Sequence, residues 1–153
     1  MRERIDPLIA ERAPWLFRKS PLIRPIRGAL NHFLSYDRTV ELAEQFENSN
    51  TAEVMGTMGE MLAKDVTVTG LSRIPRHGPA MIVCNHPTGI ADGIILWHLL
   101  SKIRPDMYFY ANRDILRIMP QLADMIAPVE WRKELRSHSK TRETMAFTRK
   151  AVE

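Results

Sequence analysis

Residues 80–93 read AMIVCNHPTGIADG, and this stretch decides how the chain is expected to fold. Its continuous apolar run, Met81–Cys84, predicts a strand buried on both faces of a sheet. A loop containing Pro87 and Gly89 follows, and Ile90–Ile103 then predicts a helix that is apolar nearly all round. The pattern therefore predicts a buried strand, a turn and a deeply packed helix.

Two side chains suited to acid–base chemistry flank that turn. His86 follows the strand, and Asp92 lies six positions later. On a regular helix this separation is ~240° around the axis, so they can meet only across a turn. A His held by an Asp is the pairing of a general base and its orienter. Equally, His86 can be a loop histidine bonded to a carbonyl, with Asp92 an acid favoured by the helix dipole.

Strands and helices alternate over the rest of the chain, which predicts an α/β layer architecture with largely parallel pairing. The predicted strands are Val66–Val68, Met107–Ala111 and Ile126–Trp131; the predicted helices are Thr39–Glu47 capped by Asp37, Ala52–Ala63 capped by Thr51, and Ser137–Glu153. We expect a basic amphipathic helical region over residues 1–63 and the α/β domain over residues 64–153.

Composition limits the class of protein. The 153 residues suit one core, and a net charge of +4 with a pI of about 9.5 favours anionic partners. No run approaches the ~18 apolar residues of a transmembrane helix. Cys84 is the single cysteine, so no internal disulfide or cysteine-cluster metal site is expected, and at the end of a buried strand it is expected to be inert. A cytoplasmic location is the default expectation.

The stretch from Arg12 to Ser35 is basic and amphipathic. It contains no acid, and its five cations are Arg12, Arg18, Lys19, Arg24 and Arg27. Cations interleaved with aromatic and aliphatic residues suit a surface that lies on an anionic membrane. The alternative is that these apolar residues cover the core while the cations face water. No recognition motif accompanies the charge, so nucleic-acid binding is not expected.

The residues around the turn resemble the lysophospholipid/glycerol-phosphate acyltransferase superfamily. The resemblance is carried by Val66–Gly70, Ile74-Pro75, Gly78-Pro79 and Asn85-His86 followed by Asp92, and it extends weakly through Ala111–Pro120 to Trp131. The family usually has four residues between His and Asp, whereas this chain has five, as in a variant subgroup.

The resemblance implies transfer of a fatty acyl group from acyl-CoA or an acyl carrier protein to a hydroxyl of a lysophospholipid or glycerol-phosphate acceptor, in phospholipid biosynthesis. His86 would be the general base and Asp92 its orienter, without a cofactor or metal. The substrate would be bound by Asn85, Gly89, Arg132 and Lys133. Arg132 falls where the family has an arginine that binds the acceptor's phosphate. Arg136 is an alternative candidate for the same phosphate contact. The enzyme would be peripheral on the cytoplasmic face of the membrane.

The family's third and fourth motifs have no counterpart in these residues. We therefore expect the chain to be either the N-terminal part of a longer protein or a truncated gene product, with an incomplete sheet. On that basis these residues alone should be poorly soluble or catalytically silent. The alternative function is an inactive membrane- or lipid-binding module with the same fold.

Overall fold

The structure is a computed structural model that describes residues 1–152. It forms two compact units, one of residues 1–49 and 114–121 and the other of residues 50–113 and 122–152. The helices are α1 (Arg2–Arg12), α2 (Ile23–Phe33), α3 (Tyr36–Gln45), α4 (Thr51–Leu62), α5 (Ile90–Leu100), α6 (Ile115–Ile118) and α7 (His138–Val152), and the strands are β1 (Phe109–Asn112) and β2 (Ile126–Val129).

The first unit is helical and is held by a small core and by a partly buried cluster of Tyr36, Asp6 and Arg27. Its buried apolar side chains are Leu8, Tyr36, Val40 and Phe46. The Tyr36 hydroxyl donates to Asp6 Oδ1 at 2.6 Å, and Arg27 lies 3.1 Å from the other oxygen of the same carboxylate. Burial, together with this hydrogen bond, raises the pKa of Tyr36 to about 12. The tyrosine is therefore a neutral donor that helps to join α1 to α3.

The second unit contains a parallel two-stranded sheet. Phe109 lies opposite Ile126, and Asn112 lies opposite Val129. The strands predicted at Met107–Ala111 and Ile126–Trp131 correspond to β1 and β2, which pair in parallel as expected but have different bounds. Pro128 is accommodated because β2 is an edge strand, where a missing N–H leaves no ladder bond open. The fold is accordingly mostly helical with a small α/β element.

The predicted strand Met81–Cys84 is not formed, and neither is the predicted strand Val66–Val68. The side chains expected to be buried are exposed, with Met81 at 80% and Val83 at 83%. Within residues 1–152 the sheet has only the strands β1 and β2, so neither segment has a neighbour to complete its backbone hydrogen bonds. Cys84 is exposed as well, so the prediction that it is buried is wrong.

Helix boundaries differ from the prediction for local reasons. Asn50, and not Thr51, caps α4, because Asn50 and Glu53 form a reciprocal capping box. Thr51 instead donates its hydroxyl to Asp124 at 2.5 Å. The helix α5 ends at Leu100, before the predicted Ile103, and it is only partly buried, since Ile90 is 59% exposed.

The helices α4 and α5 pack closely at one glycine. A Cβ added at Gly59 would lie 2.7 Å from the Cβ of His98, well inside contact distance. By contrast, a Cβ at Gly56 on the same helix would meet no atom within 4 Å. His98 is thus a packing residue of the α4–α5 interface.

A buried carboxylate joins the end of β2 to α7. Glu130 accepts from Lys140 Nζ at 2.9 Å and from the backbone N–H of Arg132 at 3.2 Å, and its side chain is 2% exposed. The hydrogen bond from Lys140, followed by those from Arg132, lowers the pKa of Glu130 to about 2. The carboxylate is therefore ionised in the folded protein over the whole physiological range.

We predict that Gly59→Ala destabilises the second unit, because the added methyl group must displace His98. Overpacking of this kind lowers the free energy of unfolding by about 1–3 kcal/mol. The matched substitution Gly56→Ala should be neutral or should stabilise the helix by up to about 1 kcal/mol, since Ala is the better helix former. Urea unfolding of both variants measures the difference, and equal stabilities would contradict the close packing at Gly59.

We also predict an acid-dependent contribution from Glu130. The pKa of Glu130 is about 2 in the folded protein, below its ordinary value of 4.5. Ionised Glu130 therefore contributes its full stabilisation above pH 4.5, and this contribution is lost as the pH falls toward 2. The difference in free energy of unfolding between wild type and Glu130→Gln should therefore be constant near neutral pH and shrink below about pH 4.5. Glu134→Gln, on an exposed neighbour, is the control; a pH-independent difference for Glu130→Gln would argue against the ion pair.

Candidate active site

His86 and Asp92 meet at the start of α5. The distance between His86 Nδ1 and Asp92 Oδ2 is 3.0 Å, which is hydrogen-bonding distance. The Asp92 side chain is 17% exposed, whereas the His86 side chain is 68% exposed. With Nδ1–H donating to the carboxylate, the other ring nitrogen, Nε2, is left as an acceptor. The arrangement can take a proton from a group that approaches Nε2.

Thr88 holds the carboxylate in place. Its backbone N–H donates to Asp92 Oδ2 at 3.1 Å, and its hydroxyl donates to Asp92 Oδ1. The hydroxyl hydrogen bond is the main cause that lowers the pKa of Asp92, with the backbone hydrogen bond and His86 adding to it against the opposing effect of burial. Asp92 is therefore kept negatively charged beside the imidazole.

The turn between the two residues depends on Gly89. This residue is the N-cap of α5 and has φ 68° and ψ −132°, a conformation that is accessible chiefly to glycine. Asp92 then lies in the first turn of the helix, and its N–H donates to the Gly89 carbonyl at 3.1 Å. The six-residue separation thus spans a turn and not a helical face, which is the geometry that the pairing requires.

Of the other candidate residues, Gly89 is joined to this pair by its backbone, whereas the side chains of Asn85, Lys133 and Arg136 make no hydrogen bond to it. Asn85 is exposed, and its side chain makes no hydrogen bond to any described residue. Arg132 Nε lies 3.4 Å from Glu130 Oε1, and Arg136 donates to the backbone carbonyls of Glu130 and Trp131 at 3.1 Å. Lys133 is exposed, with no ion pair in the part of the chain that the structure describes. Of these cations, Lys133 is the one most open to an anionic ligand.

Thr88 was missed by the sequence analysis. A signal for it exists, because an acid in the first helical turn often reaches back to a backbone N–H just before the helix. Thr88 lies four residues before Asp92 and directly before the Gly89 cap. This position before the helix is the sequence feature that indicates Thr88 as a partner of Asp92.

The described residues offer no metal site or membrane span, and their open cleft lies away from His86 and Asp92. Among residues 1–152, no cluster of three or more His, Cys, Asp or Glu residues could hold a metal ion. No helix in the same range has both the length and the apolar character needed to cross a bilayer. An open cleft of about 470 Å³ lies in the second unit, and its lining includes Thr51, Trp97, Asp106 and Tyr108 but neither His86 nor Asp92.

Two curated proteins are similar to the chain, and both are named lyso-glycine lipid O-acyltransferase. The protein from Phocaeicola vulgatus is 27% identical over 100 residues, which cover 65% of this chain and 36% of the relative. The protein from Bacteroides thetaiotaomicron is 22% identical over 125 residues, which cover 82% of this chain and 45% of the relative. The chain therefore spans less than half the length of either relative.

No solved structure matches the chain significantly. The model of the acyltransferase family matches residues 65–153, which is more than half of the chain and includes both His86 and Asp92. The chain therefore belongs to the acyltransferase family.

Proposed function

We propose that the protein transfers a fatty acyl group from an acyl thioester to a hydroxyl of a lipid acceptor, with His86 as the general base. The observation that carries this proposal is the 3.0 Å contact between His86 Nδ1 and Asp92 Oδ2, with Nε2 left free. Membership of the acyltransferase family supports the reaction class. The 68% exposure of the imidazole leaves room for a substrate to reach it.

In the proposed reaction, Nε2 of His86 removes the proton as the acceptor oxygen attacks the thioester carbonyl carbon. The negative charge of Asp92 stabilises the imidazolium that forms. When the tetrahedral intermediate collapses, the carbon–sulfur bond breaks, the ester remains, and the imidazolium returns its proton to the departing thiolate. General-base assistance of this kind contributes roughly 10²–10⁴-fold to the rate.

The proposed acceptor is a lysolipid with a free hydroxyl. The names of the two relatives specify a lyso-glycine lipid, whereas the resemblance of the sequence motifs implies a lysophospholipid or a glycerol phosphate. An exposed cation such as Lys133 suits the anionic group that these acceptors share. Arg132 would have to share its guanidinium with Glu130 in order to bind a phosphate. The proposed donor is acyl-CoA or an acyl carrier protein.

A second candidate is a lipid-binding module without catalytic activity. It is favoured by the exposure of Met81–Cys84, the segment that leads to His86, which has no neighbouring strand within residues 1–152 to hold it. A general base is most effective when a rigid frame fixes it against the substrate. Lipid binding without turnover in the wild-type chain would favour this second candidate.

We predict that His86→Ala reduces thioester-dependent acyl transfer at least ~100-fold, because the base that accepts the hydroxyl proton is removed. Asp92→Asn should reduce the turnover number severely as well, because it keeps the side-chain shape but removes the charge that supports the imidazolium. The measurement is release of free thiol from an acyl thioester in the presence of a lysolipid.

His77→Ala is the matched control, because His77 is an exposed loop histidine of the same unit and lies outside the proposed site. It should leave turnover unchanged. Circular dichroism and thermal unfolding of all three variants separate loss of chemistry from loss of fold. Full turnover in folded His86→Ala would exclude His86 as the base.

A further inference from the structure

The Asp92 carboxylate is fixed at both of its oxygens. Oδ2 faces His86 Nδ1 at 3.0 Å and also accepts from the Thr88 backbone N–H at 3.1 Å. Oδ1 accepts from the Thr88 hydroxyl, which is the one hydrogen bond to that oxygen within residues 1–152. The torsion that turns an Asp carboxylate is broad, so bonds to one oxygen alone leave the group able to swing. The Thr88 hydroxyl therefore fixes the plane in which Oδ2 meets the imidazole.

The turn before α5 brings both donors of Thr88 to the same carboxylate. Pro87 has no N–H, so Thr88 supplies the first backbone donor after His86. Gly89 then leads the chain into α5, and Asp92 is the third residue of that helix. An acid at this helical position ordinarily accepts from the N–H of the N-cap residue. Asp92 instead accepts from Thr88, one residue before the cap, where it also contacts His86.

Thr88 is not a packing residue. Its side chain is exposed, as is that of His86, whereas the Asp92 side chain between them is only 17% exposed. The described polar contacts of the Thr88 hydroxyl and N–H are those with Asp92. Hydrogen bonds to an ionised group are stronger than those between neutral groups, so they can hold an exposed turn in one geometry. The position of Thr88 is thus explained by its contacts with the carboxylate.

We propose that the Thr88 hydroxyl is a positioning group for the proposed general base. It holds Asp92 so that the carboxylate keeps the proton on Nδ1 of His86 and leaves Nε2 as the acceptor. Thr88 acts through Asp92 and does not itself touch the reacting atoms. The catalytic consequence rests on the proposed function, whereas the place of the imidazole proton can be measured without turnover. A hydroxyl that served only to start α5 would affect stability and leave that proton in place.

The kinetic test compares two substitutions at one position. Thr88→Val keeps the shape of the side chain and removes the hydroxyl, whereas Thr88→Ser keeps the hydroxyl. Because a hydrogen bond that orients the catalytic pair is lost, Thr88→Val should lower the turnover number about tenfold. KM should stay unchanged, since the lost contact is not with the substrate. Thr88→Ser should restore turnover, measured as release of free thiol from an acyl thioester in the presence of a lysolipid.

The second readout is the position of the imidazole proton. Long-range proton–nitrogen NMR spectra of the ¹⁵N-histidine-labelled chain distinguish Nδ1–H from Nε2–H, and the spectrum of His86→Ala identifies the His86 signals among the five histidines. Neutral His86 should shift toward Nε2–H in Thr88→Val but not in Thr88→Ser. Thr141→Val is the matched control, because it removes an exposed hydroxyl that donates to the Ser137 carbonyl at 3.2 Å near the start of α7. It should change neither turnover nor the proton.

The two readouts separate this proposal from the proposed function. An unshifted proton in folded Thr88→Val would overturn the positioning role, whatever the turnover, and so would a shift without loss of turnover in an active enzyme. A shift that Thr88→Ser reverses, in a wild-type chain that releases no thiol, would support the positioning role and overturn the proposed function. If circular dichroism shows that Thr88→Val does not fold, the same measurements on Thr88→Ala decide the question.

Discussion

The Asp92 carboxylate is the group on which the candidate site depends. One of its oxygens faces Nδ1 of His86, and the hydrogen bonds from Thr88 reach it from just before α5. An acid in the first helical turn is stabilised by the unpaired N–H groups there. The same carboxylate therefore accepts hydrogen bonds at the start of α5 and contacts the histidine, so the start of the helix and the contact between His86 and Asp92 depend on each other.

The sequence predicted the contact between His86 and Asp92 better than it predicted the sheet. The pairing of His86 with Asp92 across a turn follows from local features, namely Gly89 and the start of an apolar helix, and these act over a few residues. A strand, by contrast, needs a neighbour that can lie anywhere in the chain. The apolar run Met81–Cys84 has the composition of a buried strand but no pairing segment within residues 1–152, and it is exposed.

Ion pairs, like strands, depend on partners that lie far along the chain and that a local sequence pattern does not reveal. The sequence identifies a basic stretch without acids, but the partners of Arg12 and Arg27 lie outside that stretch, at Asp114 and Asp6. Counting charges along the chain therefore overstates how many cations are available to a ligand. Similarly, the cations after β2 form an apparent phosphate site in the sequence, whereas Arg132 is engaged by the buried Glu130.

The pairing of His86 with Asp92 is tested most directly by the protonation of the imidazole. Long-range proton–nitrogen NMR spectra of the chain with ¹⁵N-labelled histidine report which ring nitrogen carries the proton in the neutral state. The geometry predicts that Nδ1 carries it in wild type, and that Asp92→Asn shifts the balance toward Nε2. A neutral His86 protonated at Nε2 in the wild-type chain, with no change in Asp92→Asn, would contradict the proposed base and its orienter.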